Sequence, residues 1–225
     1  MQVKKIENRI ASQIIQAKHY KKSLGLVWES FGLYDREKIV GVCCYGQPPA
    51  SIQKYAFTDK IWIYELKRLV IDRGIENGAS FLISNSLKML KHKPCAVVSY
   101  ADEGAGHCGI VYQATNWIYA GKNKSHDSAY VVDGKVMHPL NIRRMYGVTN
   151  PTQWAKENGY EKQEQTFKHR YFCYVGNRSE KKAMEKLFAY ESLPYPKKEK
   201  TMYEDGIDCS SYTTEQKRNF LHLLN

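Results

Sequence analysis

Residues 94–121 read PCAVVSYADEGAGHCGIVYQATNWIYAG, and the chain is organised around them. The run Cys95-Ala96-Val97-Val98 carries no charge and fits a buried strand. Ser99, Tyr100 and Asp102 follow at the carboxyl end of that strand. Gly104 and Gly106 break the chain into a turn, with His107 and Gly109 behind it. Ile110-Val111-Tyr112-Gln113-Ala114 then fits a short helix, and Trp117-Ile118-Tyr119 an aromatic strand. In open α/β sheets, ligands sit beyond the carboxyl ends of strands, so the polar cluster stands where a site is expected.

Working outward, residues 61–71 (IWIYELKRLVI) predict a long strand. Its alternation puts Glu65 and Lys67 on one face and Tyr64, Leu66 and Arg68 on the other. Arg68 either pairs with a carboxylate such as Asp102 or holds an anionic ligand, because a buried guanidinium needs a partner. Arg73 to Ser80 is a turn with two glycines leading into a helix, on which Ile83, Leu87 and Leu90 share a face. Such a turn suits a phosphate, since helix-start N–H groups attract anions and glycine permits close approach.

Earlier in the chain, residues 7–22 predict an amphipathic helix ending in His19-Tyr20 beside lysines. Segments 24–33 and 38–45 predict a hairpin, interrupted at Gly46-Gln47-Pro48-Pro49. Later, residues 127–138 predict a second hairpin turning at Asp133-Gly134. Residues 139–158 read as irregular helix with Arg143, Arg144 and Lys156 exposed. Lys168-His169-Arg170 leads into the strand Tyr171 to Val175, a basic helix spans 178–190, and Pro194-Tyr195-Pro196 ends regular structure. Residues 1–197 are expected to form one catalytic domain, and 198–225 a charged tail, mobile or loosely docked.

The 225 residues suffice for one large domain, and 43% hydrophobic with 25% charged residues is ordinary for a soluble protein. No apolar run reaches the roughly 18 residues of a membrane span, and the amino terminus lacks the apolar core of a signal peptide. Six cysteines at 43, 44, 95, 108, 173 and 209 form no zinc spacing or CxxC pair. Cys95 and Cys173 read as packed, reduced thiols, and the expected location is the cytoplasm. A formal net charge of +11 favours an anionic partner, nucleic acid being the commonest.

The order helix, hairpin, long strand, glycine turn, helix, strand, short helix, strand resembles the GNAT acyltransferase fold. That resemblance implies an α/β fold: a mixed, mostly antiparallel central sheet flanked by helices, with carboxyl-terminal additions. In that family the turn after the fourth strand cradles the pyrophosphate of a coenzyme A thioester. Carried onto this chain, the cofactor-binding positions are Val70, Ile71, Arg73, Gly74, Gly78, Ala79 and Ser80. The usual Arg/Gln-x-x-Gly-x-Gly/Ala pattern is altered, since Arg73 stands five residues before Gly78 and Ser80 takes the last position. Tyr112 occupies the place of a tyrosine that protonates a leaving thiolate, a task suited to a phenol.

A closer resemblance is to the phage Mom-type DNA-modification proteins, a divergent branch of that fold. It rests on Ser99-Tyr100-Ala101-Asp102, Gly106-His107-x-Gly109, Tyr112-Gln113-Ala114-x-Asn116-Trp117 and Tyr119-x-Gly121. His19-Tyr20, Tyr45-Gly46, Glu65-Leu66-x-Arg68-Leu69, Lys168-His169-Arg170-Tyr171 and Leu193-Pro194-Tyr195-Pro196-Lys197 extend it over most of residues 10–197. The resemblance implies conversion of adenine N6 in phage DNA to a carbamoylmethyl amine, which shields the DNA from host restriction. It implies catalytic roles for His19, Tyr20, Arg68, Ser99, Asp102 and Tyr112. His107 either orients substrate or caps its turn. The family is associated with iron, for which His19, Asp102 and Tyr112 are chemically suitable ligands. The implied partners are double-stranded DNA and a two-carbon donor, either a coenzyme A thioester or another. A base paired in a duplex must be flipped to be reached. The 17 tyrosines and 4 tryptophans supply an aromatic pocket. Lys21-Lys22, Arg143-Arg144 and Lys168-His169-Arg170 are candidate phosphate contacts. Two other readings compete: an ordinary GNAT N-acyltransferase using acetyl-CoA on a protein or small amine, and a non-catalytic DNA-binding protein.

Overall fold

A computed structural model describes residues 1–19, 22, 24–124, 129–163 and 166–197. The tail predicted beyond residue 197 lies outside the described residues. In chain order the elements are β1 (Gln2–Ile6), α1 (Asn8–Lys18), β2 (Val27–Asp35), β3 (Lys38–Gly46), α2 (Ala50–Tyr55), β4 (Ile63–Ile71), α3 (Gly78–Met89), β5 (Cys95–Asp102), α4 (Ile110–Ala114) and β6 (Ile118–Lys124). Then come β7 (Ala129–Val132), β8 (Lys135–Met137), α5 (Pro139–Tyr146), α6 (Pro151–Glu157), β9 (Glu161–Gln163), β10 (Phe167–Val175) and α7 (Arg178–Leu187).

A seven-stranded sheet runs in the order β1-β2-β3-β4-β5-β10-β6. Every neighbouring pair is antiparallel except β4 and β5, which run parallel with α3 as their crossover. The fold is therefore the expected mixed, mostly antiparallel α/β sheet with helices on its faces. Strand β5 explains its own uncharged run. Val97 packs in the cluster that receives Leu82, Ile83 and Leu87 of α3, whereas Val98 packs on the other face with Ile52 of α2 and Met184 of α7. A strand covered on both faces needs apolar residues at consecutive positions. Each fully buried leucine or isoleucine of α3 contributes about 1.5–3 kcal/mol. Helix α1 covers β3 through Ala11 and Ile15, which meet Val42 and Cys44.

Helix α1 ends at Lys18, four residues before the predicted end. Its apolar stripe ends at Ile15, and His19 is already extended (φ −92°, ψ 141°) while its N–H still reaches the Ile15 carbonyl at 2.9 Å. The hairpin at Asp133-Gly134 has φ of +50° and +73°, the left-handed pair that such a turn requires. It belongs to a separate three-stranded sheet, β8-β7-β9, with its own small core of Tyr130, Val132, Ile142 and Ala155. This excursion leaves after β6 and returns as β10, which slots between β5 and β6. Arg143, Arg144 and Lys156 are exposed on its helices, as expected. No described helix is long and apolar enough to cross a membrane.

Candidate active site

The parallel pair β4 and β5 is joined only from Ile63 to Glu65 and from Ala96 to Val98, although β4 continues to Ile71 and β5 to Asp102. Beyond that point the two strands part. The first residue past the split on β5 is Ser99, which is 1% exposed. Its hydroxyl lies 2.9 Å from the Leu66 carbonyl of β4, so a side chain bridges the gap where the backbone ladder stops. It also lies 2.8 Å from the hydroxyl of Tyr112 on α4. A carbonyl can only accept, and serine has one proton. When Ser99 donates to Leu66, Tyr112 donates to Ser99, forming one chain from Tyr112 through Ser99 to Leu66.

The opening is a cleft of about 680 Å³. Strand β4 supplies Arg68, Val70 and Ile71, and Arg73 follows from the turn. Strand β5 supplies Asp102, the loop behind it His107, and α4 Tyr112. His19 closes the rim from the end of α1. Lys18 is anchored there by an ion pair with Asp72. The structure thus brings His19, Arg68, Val70, Ile71, Arg73, Asp102, His107 and Tyr112 to one wall system, with Ser99 behind Tyr112. Tyr20 lies outside the described residues. Gly74, Gly78, Ala79 and Ser80 lead into α3 beyond the residues that line the cleft.

Two glycines of that turn have local explanations. Gly74 takes φ +79°. A Cβ on Gly78 would lie 2.6 Å from Ile75 Cγ2 and 3.3 Å from Leu33 Cδ2, so Gly78 lets α3 seat against the sheet.

Asp102 shapes the loop. Its Oδ1 accepts from the Gly104 N–H at 3.1 Å and from the Thr166 hydroxyl at 2.7 Å, and its carbonyl accepts from the His107 N–H at 3.1 Å. Gly109 then adopts φ +85° with its α-carbon pressed against Tyr171, whose hydroxyl donates to the Cys108 carbonyl at 2.5 Å. Tyr112 is 8% exposed and packs between Trp117 (5.1 Å) and Tyr171 (5.2 Å). Burial raises its pKa, against a smaller lowering by Ser99, so the phenol stays protonated beyond its ordinary range. Among the described residues, no three His, Cys, Asp or Glu side chains gather closely enough to hold a metal.

Some participants had no role assigned from the sequence. Lys67 and Glu65, each 17% exposed, pair at 2.6 Å beside the cleft. The segment around Pro196 straps this region: Gln113 Nε2 donates toward the Pro196 carbonyl (3.2 Å), and the Tyr195 hydroxyl to the Trp117 carbonyl (2.7 Å). Conversely, Lys168-His169-Arg170 is not an exposed basic patch. It lies within β10 between two strands. His169 is 4% exposed and bonded through Nδ1 to the Tyr119 hydroxyl at 3.0 Å. Arg170 covers the Tyr190 ring at 3.8 Å and donates to the Ala120 carbonyl.

A mixed, mostly antiparallel sheet split between its parallel strands, with polar and charged side chains gathered in the cleft at the split, defines a mixed α/β protein with a site at its strand ends. The chain belongs to the Mom protein family, whose model matches residues 1–197. It is 29% identical over 207 residues to the methylcarbamoylase Mom of Escherichia phage Mu, an alignment covering 88% of this chain and 84% of that one. Among solved structures it is similar to Arabidopsis thaliana NAA60 in complex with a bisubstrate analogue (TM-score 0.48, 9% identity, 78% of this chain and 99% of that one). It is also similar to an N-acetyltransferase from Staphylococcus aureus Mu50 (TM-score 0.45, 10% identity, 78% and 98%).

Proposed function

We propose that this chain, with residues 1–197 as its catalytic unit, transfers a carbamoylmethyl group to N6 of adenine in duplex DNA. The modification occurs in the host cytoplasm and protects the DNA from restriction. The observation that carries the reading is the convergence of His19, Arg68, Asp102, His107 and Tyr112 on one cleft, in a chain of the Mom family. The phage Mu relative, a methylcarbamoylase by name, supports the group transferred.

The reaction forms an N–CH2 bond and breaks the bond between that methylene and its leaving group. The amine sheds one proton and the leaving group gains one. Asp102, His19 and His107 stand at the cleft as acceptors for the first proton. Tyr112 is the donor for the second, because burial keeps its proton in place and Ser99 can turn its own hydroxyl toward the phenolate that forms. Arg68 and Arg73 suit anionic groups of the donor or of the DNA backbone.

A coenzyme A thioester fits this cleft in one respect: past Glu65, β4 has no β5 partner, leaving an edge along Val70 and Ile71 for an extended arm, with Arg73 for its phosphates. A thioester would activate the carbonyl carbon of its two-carbon unit, which by itself gives an N–C(=O) bond, so formation of the N–CH2 bond balances only with a two-carbon donor that bears its leaving group on the methylene. The residues in place do not complete an iron site. His19 and Asp102 line the cleft, but the Tyr112 hydroxyl is buried and engaged with Ser99, and among the described residues no three His, Cys, Asp or Glu side chains gather there. Duplex phosphates would meet Arg143, Arg144 and Lys156 of the excursion, which are exposed.

The test is mass spectrometry of nucleosides from plasmid DNA of cells expressing the wild type, Asp102→Asn or Asp102→Ala. Asparagine keeps an oxygen acceptor for Gly104 and Thr166, so it separates proton transfer from loop shape. Deoxyadenosine should gain a carbamoylmethyl group in the wild type and not in Asp102→Asn. An unmodified profile from well-folded wild-type protein would overturn the reading, and acetyl-CoA titration would then probe ordinary acyl transfer.

A further inference from the structure

At the other end of β4 from the catalytic cleft, a second cavity of about 510 Å³ opens beside the start of that strand. Two tryptophans flank it, Trp28 from β2 and Trp62 just before β4. They are 41% and 45% exposed, with ring centroids 5.7 Å apart. Tyr64 stands edge-on to Trp28 at 5.5 Å, and His92 stacks on Trp62 at 4.2 Å with 30° between the rings. None of these groups lines the catalytic cleft.

The charges around the cavity narrow the ligand. Glu29 is 5% exposed and engaged on both carboxylate oxygens. One oxygen accepts from Lys5 at 2.7 Å, and the other from the Tyr64 hydroxyl at 2.8 Å and the Lys91 N–H at 3.0 Å. Burial pushes its pKa up, but these donors outweigh burial and hold the carboxyl below its ordinary value. The carboxylate therefore serves the protein's own groups. With Lys5 and Lys91 both lining the cavity, one positive charge is left over. An aromatic cage for a quaternary ammonium needs the opposite balance. Flat indole surface open to water, beside an uncompensated ammonium, suits a ligand that is planar on one side and anionic on the other.

We propose that this cavity binds a nucleotide unit, its base on the Trp28–Trp62 pair and its phosphate toward Lys91. The chemistry is shared by a nucleotide within a DNA strand and by a free nucleotide. The proposal does not rest on the catalytic reading, because binding here stands whether or not adenine is modified.

The test is tryptophan fluorescence of the full-length protein titrated with a single-stranded oligodeoxynucleotide and, separately, with dAMP. Quenching by the strand should weaken as salt rises. Trp62→Ala should raise its Kd at least about fivefold, the low end of one stacked base. Lys91→Glu leaves the indole pair intact, keeps the test open should Trp62→Ala fail to fold by circular dichroism, and should also weaken binding while flattening the salt dependence. Quenching by dAMP, with the same losses, would assign the cavity to free nucleotide and support the same chemistry. No quenching by either ligand, or unchanged affinity in both folded variants, would overturn the proposal.

Discussion

Replacing Ser99 by alanine tests the chain of hydroxyls that closes the split sheet. Ser99 serves two partners, the Leu66 carbonyl at 2.9 Å and the Tyr112 hydroxyl at 2.8 Å, in surroundings that exclude water. Each buried polar group left without a partner costs about 1–3 kcal/mol. Ser99→Ala strands both, and we expect a loss of about 2–3 kcal/mol. Tyr112→Phe removes only one end, leaves Ser99 bonded to Leu66, keeps the packing against Trp117 and Tyr171, and should cost about 1 kcal/mol. In the double variant the phenol is no longer there to be stranded, so the loss should be about 2 kcal/mol rather than the sum, a coupling of about 1–2 kcal/mol. Urea unfolding of the four proteins measures it. Single losses that add to the double value within about 0.5 kcal/mol would mean that Ser99 does not hold the Tyr112 hydroxyl, and the reasoning would fail.

Gly109→Ala should destabilise by about 2–4 kcal/mol, because φ is +85° and a Cβ would lie 2.4 Å from Tyr171 Cε2. Gly134→Ala, at φ +73° in open space, should cost about 1 kcal/mol in the same urea assay. His169 is held below its ordinary pKa of 6.5 by burial, so the unfolded chain takes up this proton first. The stability it contributes is present above pH 6.5 and is lost as pH falls through the lower folded-state value, so His169→Gln should flatten the fall of Tm across that acidic step. Glu29, held below 4.5, gives a second loss further into acid, which Glu29→Gln should remove while lowering stability at neutral pH by about 1–3 kcal/mol. Breaking the exposed Lys122–Glu103 pair by Lys122→Ala should change the urea midpoint by less than about 1 kcal/mol in stability.

The central stretch was legible because its signals are local. An uncharged strand, glycines at 106 and 109 that both take positive φ, and a short helix appear where the residues place them. Arg68 was placed by strand alternation and Tyr112 by the family resemblance, and both line the cleft. His19 and Asp102 also reach it, although no spacing shows that they meet. Long-range pairing was not legible. Nothing in Phe167 to Val175 says that it inserts between β5 and β6, and that insertion buries His169 and removes a basic patch the residues alone suggested. The edge strand β1 is a five-residue run with two lysines, too polar for periodicity to mark it. Its Lys5 finds its reason only in Glu29, 24 positions away. The glycines of the Arg73 to Ser80 turn pointed to phosphate, while at Gly78 the demand comes from packing against Ile75 and Leu33.

The excursion that carries β7, β8, α5, α6 and β9 departs and returns at facing points of one ladder, since Lys124 is paired directly with Phe167. Topologically it is an enlarged hairpin tip. A tip can be lengthened, shortened or traded without changing the register of the strands that bear it. The chain therefore divides into a scaffold whose strand pairing must be kept and a module whose exposed Arg143 and Arg144 can be retuned, with Thr166 at the module's end tied to Asp102 of the cleft. Grafting another relative's excursion between Lys124 and Thr166 would exchange one such module while keeping the Thr166–Asp102 bond.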